Sequence, residues 1–198
     1  MTKRVVVALL VPVTWSPPGT QLSRWRAALA EDVVDLLARL AQAEPAIAAT
    51  AEDLELAREI AWPGMPIYEV RTATVLPVLE AAERDGFDQA AVVAADAADV
   101  PGMVLGKLLR PLSSKPVAVA PTGQESGLLA VAATLPVPPW LADVDLDTAT
   151  PMTVRRTAPQ PSLVESTADW RRLRGPHDLA TLDPALEGWE NTRAILGG

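Results

Sequence analysis

An unbroken apolar run near the start of the chain constrains the fold most strongly. Residues 5–11 (VVVALLV) carry no polar side chain, and Pro12 ends the run. A strand that is apolar at every position, rather than at alternate positions, is typical of a parallel sheet covered by helices on both faces. The sequence therefore predicts that the chain begins with a buried strand of an α/β sheet.

Helical and strand patterns then alternate along most of the chain. Over residues 20–40, apolar side chains recur every three or four positions, which predicts a helix. Further strands are predicted at residues 46–49, 66–70, 90–95, 117–120 and 128–133, and further helices at residues 52–62, 74–84 and 103–109. This alternation predicts a mostly parallel, doubly wound, Rossmann-like sheet with helices on both faces, within an α/β domain of residues 1–150.

The last part of the chain has a different character. Residues 151–198 form a predicted Pro-rich extension, in which helical pieces are expected near residues 168–173 and 184–196. The extension contains Trp170 and Trp189, and aromatic side chains gain most of their stabilisation from burial. We therefore expect the extension to pack on the domain or on a partner subunit, where it could support a homo-oligomer.

Composition excludes several classes of function. The chain has 198 residues with 17 basic and 25 acidic side chains, a formal net charge of −8, which disfavours binding to nucleic acid or to an anionic membrane surface. Cysteine is absent and His177 is the only histidine, which excludes disulfides, thiolate zinc sites and multi-histidine metal sites. The apolar run at residues 5–11 is too short for a membrane helix and lacks a signal-peptide cleavage pattern, so the predicted location is the cytoplasm.

Two aspartates follow the predicted strand at residues 90–95. Ligands of open α/β sheets bind beyond the carboxyl ends of the strands, where Asp96 and Asp99 stand. Their carboxylates could act in catalysis, and Asp96 could hold Mg²⁺ or Mn²⁺. In the alternative interpretation, Asp99 caps the next helix and Asp96 caps the turn.

A second acidic group occupies residues 143–147 (DVDLD). If this segment is extended, its three aspartates face one side, and Asp145 and Asp147 become candidate ligands of the same metal ion. The alternative is an exposed edge strand whose charges discourage aggregation.

Four residues are candidate contacts for a bound nucleotide. Pro12 opens the loop after the first strand, Arg24 stands near the start of the first helix, and Gly123 and Gly127 flank a turn between two short strands. Glycines allow a ligand to approach the backbone closely, and an arginine at a helix start can meet a phosphate. The competing interpretations are a solvated helix face for Arg24 and an ordinary hairpin-like turn for the glycines.

The order of these motifs resembles the GT-A-type nucleotidyltransferases. Residues 87–101 (FDQAAVVAADAADVP) are similar to the strand and metal-aspartate segment of that group, and residues 117–121 (VAVAP) with Gly123 and Gly127 resemble its next strand and glycine turn. Within that group, the motifs resemble those of the 2-phospho-L-lactate guanylyltransferases, the molybdenum-cofactor guanylyltransferases and their glycosyltransferase-like relatives. The resemblance spans roughly residues 5–133.

The resemblance implies a metal-dependent nucleotidyltransferase or glycosyltransferase-like protein. Such a protein binds a nucleoside triphosphate or nucleotide sugar, with Asp96 on a divalent metal, and transfers the nucleotidyl group to a phosphorylated acceptor. The first loop departs from the group, because residues 16–21 (SPPGTQ) lack its repeated glycines and basic residues. The expectation therefore includes a catalytically degenerate member. The alternative function is a non-catalytic scaffold or regulatory subunit that uses its C-terminal extension for oligomerisation or partner binding.

Overall fold

A computed structural model of the protein describes residues 1–197. Seven strands form one mixed sheet in the spatial order β3-β2-β1-β4-β6-β5-β7. The strands are β1 (Arg4–Leu9), β2 (Glu44–Ala49), β3 (Ile67–Glu69), β4 (Gln89–Ala94), β5 (Val117–Pro121), β6 (Leu128–Thr134) and β7 (Val164–Ser166). The helices are α1 (Leu22–Ala38), α2 (Leu54–Ile60), α3 (Val75–Arg84), α4 (Gly102–Leu109), α5 (Pro151–Thr157), α6 (Pro176–Leu179) and α7 (Glu190–Ile195).

Most strand pairs are parallel, as the alternating pattern predicts. Strands β1, β2, β3 and β4 pair in parallel, and β7 is parallel to β5. Strand β6 runs antiparallel to both of its neighbours, β4 and β5. It follows β5 through a short hairpin, which is why it reverses direction instead of crossing over through a helix.

Both faces of the sheet are covered, so the doubly wound α/β prediction is confirmed. In β1, Val6 and Ala8 pack with α1, α2 and α4, whereas Val5, Val7 and Leu9 pack on the opposite face with α3 and α5. Successive side chains of a strand point to opposite faces, and both faces of this strand are dry. The unbroken apolar run is the sequence signature of that double burial.

The extension differs from its prediction in one respect that bears on the site. Residues 168–173 are not helical; they continue from β7 along the end of β5 in an extended path. Their backbone donates hydrogen bonds to neighbouring strand ends, from Trp170 N to the Pro121 carbonyl at 3.1 Å and from Leu173 N to the Asp96 carbonyl at 2.9 Å. These bonds replace the i→i−4 bonds that a helix would make. Residues 167–197 are called the closing segment below.

No helix within residues 1–197 has the length and apolar character needed to cross a membrane.

Candidate functional site

The carboxyl ends of β1 and β4 are where an open α/β sheet binds its ligand, and here the closing segment covers them. Besides the apolar layers on the two faces of the sheet, a separate apolar cluster fills this region. It consists of Trp25 and Leu29 of α1, Ala98, Leu173 and Trp189, all buried. Side chains that pack against this cluster come from the first loop (Val13 and Trp15) and from the closing segment (Leu179, Leu182, Leu186 and Ile195). The first loop, α1 and the closing segment therefore meet over the sheet edge at which the candidate site was predicted.

Asp96 lies at this edge and is bound by an arginine of the closing segment. Its Oδ1 accepts a hydrogen bond from Arg172 Nε at 2.6 Å, and its Oδ2 accepts one from Arg172 Nη2 at 2.9 Å. The exposed fractions of the two side chains are 2% for Asp96 and 1% for Arg172. Two parallel bonds between a guanidinium and a carboxylate form the strongest ion-pair geometry available to these side chains.

The same guanidinium reaches Asp147 in the second acidic group. Arg172 Nη2 donates to Asp147 Oδ1 at 2.7 Å, and Arg174 Nη2 lies 3.3 Å from Asp147 Oδ2. Burial opposes the positive charge of Arg172, but the charges of Asp96 and Asp147 outweigh burial and raise the pKa of Arg172 above its ordinary value. The arginine is therefore a permanent cation between two carboxylates.

Asp99, three residues after Asp96, forms a similar ion pair with Arg171 of the closing segment. Its Oδ2 accepts from Arg171 Nε at 2.7 Å, and its Oδ1 accepts from the indole Nε1 of Trp170 at 3.2 Å. The guanidinium of Arg171 also stacks 4.7 Å from the centre of the Trp170 ring. Helix α4 begins after Pro101 and has no side-chain cap, so Asp99 secures the closing segment instead of capping that helix.

The three aspartates of residues 143–147 do not share one face. Asp143 accepts from Thr74 Oγ1 at 2.7 Å and from Leu76 N at 3.0 Å, at the start of α3. Asp145 accepts from Asp147 N at 2.8 Å within its own turn. Only Asp147 of this group is joined to Asp96, through Arg172. The structure therefore brings Asp96 and Asp147 together and leaves Asp145 apart.

The candidate nucleotide contacts are also dispersed. Pro12 and Arg24 are exposed, and the neighbouring Arg26 is engaged with both oxygens of Asp53 at 2.6 and 2.8 Å. Gly123 and Gly127 have positive φ angles of 78° and 97° in the hairpin between β5 and β6.

The two hairpin glycines face parts of the chain itself. A Cβ on Gly123 would lie 2.5 Å from Asp169 Oδ2, and a Cβ on Gly127 would meet the Leu146 and Asp147 carbonyls at 3.5 and 3.6 Å. Both glycines lie in the hairpin turn, where Gly123 faces the Asp169 side chain and Gly127 faces the backbone of residues 146–147.

Metal ligation at Asp96 requires oxygens that a cation can approach, and each oxygen of this carboxylate already accepts a hydrogen bond from Arg172. Both of its oxygens face the guanidinium, and a divalent cation at the same place would meet that fixed positive charge. Within residues 1–197, no group of three or more acidic or histidine side chains is arranged to hold a metal ion. The residues present do not fit Mg²⁺ or Mn²⁺ while the closing segment is in place.

The residue that the sequence analysis missed is Arg172. It stands 76 positions from Asp96, so no local pattern joins the two. The signal that could have found it is the basic run at residues 171–174 (RRLR), in an acidic chain whose candidate aspartates need a cation.

A second polar anchor fixes the end of the closing segment. Asp32, buried on α1, accepts hydrogen bonds from the backbone N–H groups of Asn191 (3.0 Å) and Thr192 (2.8 Å) at the start of α7. The Asn191 amide donates a further bond to it at 2.9 Å. Burial raises the pKa of Asp32, and these hydrogen bonds only partly counter the increase. The carboxylate therefore docks α7 at a cost in desolvation.

The raised pKa of Asp32 predicts a pH effect on stability. A carboxyl whose folded-state pKa exceeds its unfolded value binds more protons when folded, so its contribution to the free energy of unfolding falls as pH rises from about 4 through the folded pKa. We expect Asp32→Asn to remove the pH-dependent contribution of Asp32. The free energy of unfolding of the wild type, relative to that of the variant, should therefore fall as pH rises through this interval. Urea unfolding at a series of acidic pH values measures it. An Asp32→Asn variant whose free energy of unfolding changes with pH as that of the wild type does would contradict the prediction.

Comparison with known proteins identifies the fold. No protein-family model matches the sequence, and no curated protein matches it. Among solved structures, a protein from Desulfovibrio desulfuricans provisionally assigned as a nucleotide-diphospho-sugar transferase aligns with 100% of this chain and 96% of its own, at a TM-score of 0.62 and 17% identity. The 4-diphosphocytidyl-2C-methyl-D-erythritol synthase of Anaerococcus prevotii aligns with 98% of this chain and 96% of its own, at a TM-score of 0.64 and 8% identity.

A third structure of this fold was solved with a metal. It is a Mycobacterium tuberculosis protein in complex with manganese, aligned over 100% of this chain and 99% of its own, at a TM-score of 0.54 and 12% identity. At such identities the likeness establishes the fold alone. The chain has the GT-A-like fold of the nucleotidyltransferases, and the resemblance seen in its motifs is confirmed at that level.

Proposed function

We propose that this chain is a nucleotidyltransferase-like protein of the catalytically degenerate kind, which keeps the fold of the group without metal-dependent transfer. The observation that carries the proposal is the ion pair between Asp96 and Arg172, both buried and bonded at 2.6 and 2.9 Å. The carboxylate that the family resemblance assigns to a metal ion instead holds the chain's own closing segment.

The chemistry of nucleotidyl transfer explains why an Asp96 that cannot bind a metal ion would be decisive. Transfer of a nucleotidyl group develops negative charge on phosphate oxygens, and metal ions and basic side chains neutralise it. The first loop supplies one glycine and no lysine, Arg26 is committed to Asp53, and Arg171, Arg172 and Arg174 are committed to aspartates. Few cationic groups remain at this edge to bind a triphosphate.

The test is an assay for pyrophosphate release. Purified full-length protein is incubated with GTP or CTP, Mg²⁺ or Mn²⁺ and a panel of phosphorylated acceptors, and UDP-sugars are tested for sugar transfer. We expect no turnover above the rate without protein, and no change in Asp96→Asn. Release that requires the metal and is lost in Asp96→Asn, while the matched variant Asp145→Asn retains it, would overturn the proposal in favour of an active nucleotidyltransferase or glycosyltransferase.

A second candidate function is that of a non-catalytic scaffold or regulatory subunit. The observation that favours it is a groove of about 510 Å³ beside α4, at the opposite end of the sheet, where basic side chains surround Met103, which is 66% exposed. The closing segment packs on its own domain through Leu173 and Trp189, so a partner would use another surface. Light scattering on wild type and on Met103→Asp tests this function; a monomer in both, with no change in hydrodynamic radius, counts against self-association.

A further inference from the structure

We propose that the guanidinium of Arg172 is a built-in substitute for a divalent cation, and that removing it uncovers a latent cation site formed by Asp96, Asp147 and two backbone carbonyls. The proposal concerns cation binding by the protein alone, without a nucleotide. The cation-site proposal can therefore fail while the proposed function stands, and the proposed function can fail while the cation-site proposal stands.

The surroundings of the guanidinium consist of oxygen atoms. Besides the two carboxylates, Arg172 Nη1 donates to the Leu146 carbonyl at 3.0 Å and more weakly to the Leu128 carbonyl at 3.4 Å. With the three bonds from Nε and Nη2, all five N–H donors of the side chain have an oxygen partner. Carboxylate and carbonyl oxygens are also the ligands that hard divalent cations take in proteins.

Charge makes the arginine and a metal ion mutually exclusive. Asp96 and Asp147 contribute two negative charges, and Arg172 with the more exposed Arg174 balances them. A divalent cation entering beside Arg172 would add two positive charges a few ångströms from a buried guanidinium, where the effective dielectric is far below that of water. The cation can enter only if Arg172 leaves, and its departure would leave Asp96 unpaired and Asp147 with only the more exposed Arg174.

The substitute cation differs from a metal ion in one respect. It belongs to the chain, so a chelator cannot remove it. Its backbone neighbour Leu173 is bonded to the Asp96 carbonyl and buried in the apolar cluster, so the charge and the closing segment stay in place together.

The experiment measures Mn²⁺ binding to the full-length protein by electron paramagnetic resonance, with thermal unfolding as a second readout. For the wild type we expect no saturable Mn²⁺ binding at millimolar concentrations and no change in Tm with a chelator. For Arg172→Gln we expect one saturable Mn²⁺ site, at least about tenfold tighter than any wild-type binding, because one unit charge at this distance outweighs a factor of ten even in a high effective dielectric. Mn²⁺ should also raise the Tm of this variant.

Three further variants decide between interpretations. Arg174→Gln is the matched control, since it removes a positive charge from Asp147 and leaves the oxygens around Arg172 filled; it should behave as the wild type does. Arg172→Lys keeps the charge and should also bind no Mn²⁺, and the double variant Arg172→Gln, Asp96→Asn should lose the new site.

Saturable Mn²⁺ binding by the wild type that Asp96→Asn abolishes would overturn the proposal, as would a folded Arg172→Gln that gains no site. If Arg172→Gln does not fold, saturable Mn²⁺ binding by the wild type or by Arg172→Lys would still overturn the proposal.

Discussion

Replacing Arg172 with alanine should lower the free energy of unfolding by about 3–5 kcal/mol, because it leaves a buried carboxylate without its counter-charge. Asp96 would keep both oxygens in an interior where only 2% of its side chain meets solvent. The Leu146 carbonyl would lose its 3.0 Å donor at the same time. Urea unfolding followed by circular dichroism measures the change, and moderate salt should alter it little because buried pairs are poorly screened.

Arg174→Ala is the matched control for this prediction. It removes the same type of side chain from the same segment, but Arg174 is 42% exposed and lies 3.3 Å from its partner Asp147. Exposed pairs of this kind contribute about 0–1 kcal/mol. Equal losses in the Arg172 and Arg174 variants would show that the buried pair has no special part in holding the closing segment.

A double-mutant cycle separates the ion pair from simple packing. Asp96→Asn alone leaves the guanidinium with one full carboxylate partner, so we expect a loss smaller than that of Arg172→Ala. When both partners are changed, no uncompensated buried charge remains between them, and the combined loss should fall short of the sum of the single losses. Additive losses would mean that the two side chains stabilise the protein independently.

Replacing Trp25 with alanine should cost about 3–5 kcal/mol, the usual range for emptying a buried aromatic position. Trp25 is fully buried in α1, and its ring meets that of Trp15 edge to face at a centroid distance of 6.1 Å. The cavity would open directly under Leu173 and Trp189, so the closing segment should become more sensitive to limited proteolysis. Chemical denaturation and protease digestion provide the two measurements.

Two other variants test whether packing explains the Trp25 effect. Trp25→Phe should cost much less than Trp25→Ala, because the indole Nε1 makes no hydrogen bond and most of the ring volume is retained. Trp62→Ala removes a 43% exposed tryptophan bonded to Asp35 and should cost about 1 kcal/mol or less. A Trp62 variant as unstable as the Trp25 variant would contradict the prediction.

Most of the sheet could be predicted from local patterns. The apolar run at residues 5–11 indicates a strand buried on both faces, and β1 is buried in that way between two apolar layers. The helix predicted over residues 20–40 appears as Leu22–Ala38, and the one predicted at 74–84 appears as Val75–Arg84. These predictions succeed because burial selects apolar side chains in local patterns: at every position of a strand covered on both faces, and every three or four positions along a helix that packs on the sheet.

The extension was less predictable. Residues 168–173 have spaced apolar side chains that suit a helix, but their N–H groups bond to Pro121 and Asp96 at distant strand ends. Helix α5 (Pro151–Thr157) has a local start signal, the capping box of Thr150 and Thr153, but its seven residues are too few to show a clear period. Strand β7 (Val164–Ser166) has three residues and forms by pairing with the distant β5.

The positions of Asp96 and Asp99 at a strand end follow from the order of strands and helices along the chain. Their role depends on which positive charge lies opposite, and Arg172, 76 positions further along the chain, reaches Asp96 only once the intervening residues have folded. A carboxylate at that edge serves a metal ion or an arginine equally well as far as local sequence is concerned. The tertiary structure decides between them, because a charge buried in the interior is too costly to remain unpaired. The positive charge that pairs with Asp96 comes from a distant part of the chain and reaches it only when the closing segment packs over the sheet.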